Sequence, residues 1–157
     1  MRKSIMSAAP KAASAPDEEW LNIEHLASVE ISSEDPAHPI ESAILPGQDA
    51  GWRAAQPGEQ TIRLIFDQPQ RLSHIRLLFE ESEVQRTQEF VLRWSADGQS
   101  AFREIVRQQW NFSPPDTIRE LEDYRVELSG VTSLELTIVP DKNGGPALAS
   151  LTQLRLA

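Results

Sequence analysis

Cysteine is absent from the 157 residues, which excludes disulfides, thiol nucleophiles and thiolate metal sites together and fits a reducing compartment. Basic residues are scarce: 15 Lys and Arg against 24 Asp and Glu leave a formal charge of −9. Sequence-independent nucleic-acid affinity depends on Lys and Arg releasing counterions, so no nucleic-acid partner is expected. An anionic membrane surface is disfavoured for the same reason. Long apolar runs are missing too. Ile44-Leu45 and Leu77–Phe79 are far too short to span a bilayer.

Histidine is limited to His25, His38 and His74, and none forms a His-Glu-x-x-His pair. His25 and His74 fall in predicted strands, where packing or a strand surface accounts for them. His38 lies in a loop between prolines, and a ligand role stays open there. No serine stands in a Gly-x-Ser-x-Gly elbow, and no Gly-rich loop ends in Gly-Lys-Ser/Thr. Glu80, Glu81 and Glu83 cluster at a strand end; they would suit a hard cation or simply a solvated loop. No catalytic residue is assigned, and the chain is not read as an enzyme.

What is present reads as β-structure. Residues 1–19 form an expected flexible tail rich in Ala, Ser and Pro. The tail lacks the continuous apolar stretch of about 7–15 residues of a secretion signal, Pro10 and Lys11 breaking its middle, so a cytoplasmic location is expected. Residues 20–157 read as one domain. A two-residue period runs through Ile23, His25, Ala27, Val29 and Ile31. It returns in Thr61–Asp67, Arg71–Glu80, Thr87–Ala96, Tyr124–Leu128 and Leu134–Val139, and more weakly in Phe102–Gln108 and Ala147–Leu156. Turn signals separate these stretches at Asp67-Gln68-Pro69, Asp97-Gly98, Ser113–Asp116, Ser129-Gly130 and Asp141–Pro146. Many short strands and no long helical period predict an all-β sandwich or barrel.

Only ten aromatics occur, four of them Trp. Trp94 shares a strand face with Phe90 and Leu92 and is expected in the core. Trp52, after a Gly-rich loop, is expected to plug one end of the sandwich. Trp110 and Phe112 flank Asn111 between a predicted strand and Pro114-Pro115. Aromatic faces beside amides suit a sugar, whose C–H face stacks while its hydroxyls hydrogen-bond. Arg86, in a predicted loop, is a forked donor for hydroxyls or a carboxylate, or the partner of a neighbouring Glu. Arg86, Trp110, Asn111 and Phe112 are the candidate ligand-binding residues.

Several stretches together resemble the discoidin domain, also called the coagulation factor 5/8 type C domain, and its relatives among carbohydrate-binding modules. They are Leu26–Ser33, Glu41–Leu45 followed by Gly51–Ala54, Gln60–Pro69 with Leu72–Leu77, Phe90–Gly98 and Ala149–Leu156. The resemblance implies a galactose-binding-like jelly-roll sandwich of about eight antiparallel strands with ligand loops at one end. It implies a non-catalytic module for a carbohydrate or similar polyhydroxylated small molecule. It also implies a structural calcium held by an Asp before the tryptophan and a Glu in the last strand. Asp49 is available for the first position, but Gln153 stands at the second, so a charged ligand is lost. Gly51–Ile62 also resembles part of the N-terminal domain of a DNA single-strand-break repair scaffold. That likeness implies a protein-interaction or assembly role as the alternative, with a homo-oligomer left open.

Overall fold

The computed structural model describes residues 20–48, 50–96 and 101–157. The expected tail, Asp49 and the Asp97-Gly98 hairpin lie outside them. Two helical turns and eight strands follow one another: α1 (Ile23–Leu26), β1 (Ala27–Ile31), α2 (Glu41–Ile44), β2 (Trp52–Pro57), β3 (Gln60–Glu80), β4 (Arg86–Ser95), β5 (Arg103–Phe112), β6 (Arg119–Val139), β7 (Leu148–Leu151) and β8 (Gln153–Leu156). Every strand pair is antiparallel. The predicted all-β sandwich is therefore the observed architecture.

β3 and β6 organise it. They pair with each other from Gln60↔Ile138 to Glu80↔Arg119, and the register slips between Ile65 and His74. The first half of β3 buries Ile62, Leu64 and Phe66; the second half buries Ile75, Leu77 and Phe79. Side chains alternate strictly along a regular strand, so the switch from even to odd positions needs an irregularity, and Asp67–Arg71 supplies it. In β6 the matching break falls at Gly130, whose φ of 70° is open to glycine without strain. The two strands thus bend together, and one hydrogen-bonded sheet folds over on itself. β1, β4 and β5 extend the front layer, in the order β1-β3-β6-β4-β5, while β8 pairs with the second half of β3 behind. Phe79 from the back meets Phe90 from the front with ring centroids 5.2 Å apart, inside a single hydrophobic core.

Several sequence expectations change in detail. The turn signals at 67–69 and 129–130 mark bends inside continuous strands, not chain reversals. The alternation from Ile23 to Ile31 divides into α1 and β1. Ala147–Leu156 divides into β7 and β8 around Thr152. β2, which pairs with β7 as a separate two-stranded ribbon, was not anticipated. Its residues Arg53, Ala55 and Gln56 are exposed, and Ala54 is too small to signal a buried face. Trp52 is buried as expected, and its Nε1 donates to the Ser33 carbonyl at 3.1 Å.

Candidate functional site

A cleft of about 540 Å³ opens where β3 ends and β4 and β6 begin, within the size range of small-molecule sites. Its floor is the start of β2 against β7. Gly51 makes that approach possible: a Cβ there would lie 2.8 Å from the Leu151 carbonyl oxygen, and its φ is +78°. Trp52 and Arg53 follow in register with Leu151 and Ser150.

One wall is the turn from Asp35 to His38. The Asp35 N–H donates to the Arg53 carbonyl at 2.9 Å, and the Arg53 N–H donates to the His38 carbonyl at 3.1 Å, which seats His38 beside exposed Arg53. The Ala37 amide bonded to the Asp35 carboxylate holds that carboxyl below its ordinary range. The opposite wall is the segment 80–84. The Glu81 N–H donates to the Ile118 carbonyl at 2.8 Å. The Glu81 carboxylate accepts from the amides of Glu83 at 3.0 Å and Val84 at 3.1 Å, and from Arg86 Nε at 2.7 Å. Burial pushes its carboxyl up, but Arg86 and the two amides outweigh that and hold it low. Thr152 Oγ1 donates to Glu80 Oε1 at 3.3 Å on the third side. Val84 and Ile118 remain 47% and 41% exposed beside these polar groups.

None of the four residues expected to bind ligand lines this cleft. Trp110, Asn111 and Phe112 belong to β5, not to a loop, and Arg86 opens β4. The register places Arg86 opposite Phe112 and Thr87 opposite Asn111. Phe112 is fully buried, with the Arg86 guanidinium 4.8 Å above its ring. Trp110 packs against the core and its Nε1 is buried. Asn111 is exposed on the other face and accepts a hydrogen bond from Thr87 Oγ1 at 2.8 Å. Strand alternation thus turns both aromatics inward and the amide outward. Glu81 is the partner Arg86 takes. Arg53 and Thr152 escaped notice in the sequence, and the 80–83 cluster and His38 were the usable signals.

Calcium was the metal implied by resemblance. Asp49 lies outside the described residues, and among these no group of three His, Asp or Glu side chains is placed to hold a metal ion. Where the last strand faces the segment 43–45, Arg155 of β8 reaches across instead. Its guanidinium donates to the carbonyls of Ala43 at 2.8 Å, Leu154 at 3.0 Å and Leu45 at 3.2 Å. These carbonyls already face a fixed cation, and a divalent ion beside them would meet a like charge. The described residues therefore do not fit a calcium there.

No family model matches the chain, and no curated protein matches it. Solved structures do. A CBM32 module of AlyQ in complex with 4,5-unsaturated mannuronic acid matches with TM-score 0.64 and 13% identity, over 89% of this chain and 98% of that one. The chain has the fold of these modules. The family 32 module of NanJ from C. perfringens, in complex with galactose, matches with TM-score 0.63 and 12% identity over 87% and 96% of the two chains. CpGH89CBM32-5 from Clostridium perfringens, in complex with GalNAc-beta-1,3-galactose, gives 0.64 and 18% over 88% and 99%. The antiparallel β-sandwich expected from the sequence is the fold these structures share. At these identities the likeness concerns the fold, and function must be argued from the site.

Proposed function

We propose that the chain is a non-catalytic carbohydrate-binding module whose cleft at the strand ends takes the sugar. The observation that carries this is the cleft itself: exposed Arg53 and Glu80 and half-buried His38 and Ser150 surround it, with Val84 and Ile118 as apolar neighbours. Hydroxyl groups need donors and acceptors side by side, and sugar C–H faces need apolar surface. The sugar complexes among modules of the same fold support the reading. No acid–base pair is assigned, because the Glu81 carboxylate is already engaged by Arg86 and two amides.

The test is calorimetric titration with galactose, N-acetylgalactosamine and a uronate oligosaccharide, repeated on Arg53→Ala and Glu80→Gln. At least one sugar should bind the native chain, and each variant should weaken it about tenfold, the scale of one lost charge-assisted hydrogen bond. No binding by any of the three at millimolar concentration defeats the reading.

A protein-contact role has one observation in its favour. Val84, Ile118 and Leu121 are the large hydrophobic side chains exposed among the described residues; the first two line the cleft, and Leu121 follows Ile118 by three residues, in β6. A stable dimer in light scattering, lost in Leu121→Lys, would favour that role.

A further inference from the structure

A connected set of polar side chains runs from the cleft wall into the space between the layers. Glu81 fixes the wall through the amides of Glu83 and Val84. Arg86, whose side chain is fully buried, holds Glu81 by Nε at 2.7 Å. Its Nη1 donates to Gln88 Oε1 at 3.0 Å and to the Pro140 carbonyl at 2.9 Å. Gln88 Nε2 then donates to Glu120 Oε1 at 3.1 Å. Two buried atoms at the inner end have no hydrogen-bond partner among the described residues: Arg86 Nη2 and Glu120 Oε2.

We propose that Arg86 is a positioning residue for the cleft, holding the Glu81 carboxylate with one edge of its fork while Gln88 ties the same guanidinium to Glu120 between the layers. The inference rests on the cleft being the binding site. The titratable and charged groups facing this part of the interior are Glu122 and Tyr124 on β6, Arg86 on β4 and, through Arg86, Glu81 after β3. β5 presents Trp110 and Phe112, and β3 places Phe79 opposite Glu120. Burial, and after it the neighbouring Glu122, push the Glu120 carboxyl up to about 9. The neutral acid also explains its unpartnered Oε2: protonated, that oxygen becomes a donor toward Glu122.

Ionising Glu120 changes the balance. A second carboxylate then competes for one buried guanidinium, where charge interactions are strong. Glu81 shares its counterion, the amides of Glu83 and Val84 lose their fixed acceptor, and the wall loosens. Cleft geometry is thereby linked to a proton held between the sheets.

The methyl groups of Val84 report the wall without any ligand. Their ¹H–¹³C signals are followed from pH 6 to 10 in the full chain, together with the side-chain carboxyl ¹³C signals of Glu81 and Glu120. In the native protein Val84 should shift with the same midpoint as Glu120, and in Glu120→Gln it should stay flat. Arg86→Lys keeps the charge but loses the fork, and at pH 7 it should show Val84 already at its alkaline position. Val84 signals that ignore the Glu120 titration, or that still titrate in Glu120→Gln, overturn the proposal. The two failures are distinguishable: a flat Val84 in a chain that binds sugar overturns only the role of Arg86, and a titrating Val84 in a chain that binds no sugar overturns the binding-site reading on which that role rests.

Discussion

Replacing Glu120 by Gln should make the protein more stable in alkali, although it removes a fully buried polar residue's native group. Glu120 has no exposed surface. Burial and the adjacent Glu122 raise its carboxyl from the ordinary 4.5 to about 9. The folded state therefore keeps a proton that the unfolded chain releases above pH 4.5. Stability linked to this group is fully present below pH 4.5, falls as pH rises, and levels off beyond pH 9. At about 1.4 kcal/mol per pH unit, the native chain has lost roughly 3 kcal/mol by pH 7. Gln keeps an oxygen for Gln88 and a donor toward Glu122, and it does not ionise. The assay is urea unfolding of both proteins at pH 5, 7 and 8.5, with equal m-values as the check that the unfolding reaction is unchanged. The variant should gain over the native chain as pH rises, by about 4 kcal/mol between pH 5 and pH 8.5. Parallel stability curves, or a variant that falls behind at pH 8.5, would refute the assignment of a neutral acid to this position.

Gly51→Ala should lower stability by about 2 kcal/mol or more, since it combines a positive φ with a contact at 2.8 Å on the Leu151 backbone; an unchanged melting temperature would contradict that close approach. Arg155→Met should cost about 2–4 kcal/mol by leaving buried carbonyls without a donor. Millimolar calcium should leave the native melting temperature where it is, and a calcium-dependent rise would restore the metal that the resemblance implied. Trp110→Ala should destabilise by about 2–3 kcal/mol through lost packing yet leave sugar affinity in the native range; a selective loss of affinity would return Trp110 to the binding site.

The fold was legible because strand alternation survives in a single sequence. Ile62, Leu64 and Phe66, and then Ile75, Leu77 and Phe79, announce two inward faces whatever their partners. What they do not announce is that both belong to one strand, because a bend and a turn use the same residues, here Asp67-Gln68-Pro69. The site was less legible. Trp110 and Phe112 looked like loop aromatics, since Pro114 was near and the neighbours Gln109 and Asn111 were polar. In β5 those same neighbours are simply the outward half of a strand. Arg86 offered two readings in the sequence, ligand donor or partner of a glutamate, and only the register with Phe112 and the contact with Glu81 separates them. The cleft itself joins residues near positions 38, 53, 81, 118 and 150, and pairings that distant leave no periodic trace.

Strands that belong to both layers have a thermodynamic corollary. In a sandwich of two independent sheets, either sheet can peel away while its own ladder survives. Here β3 and β6 are spines common to both, so opening one layer drags on the hydrogen bonds and side chains of the other. Melting should accordingly proceed as a single all-or-none event, with calorimetric and van't Hoff enthalpies in agreement.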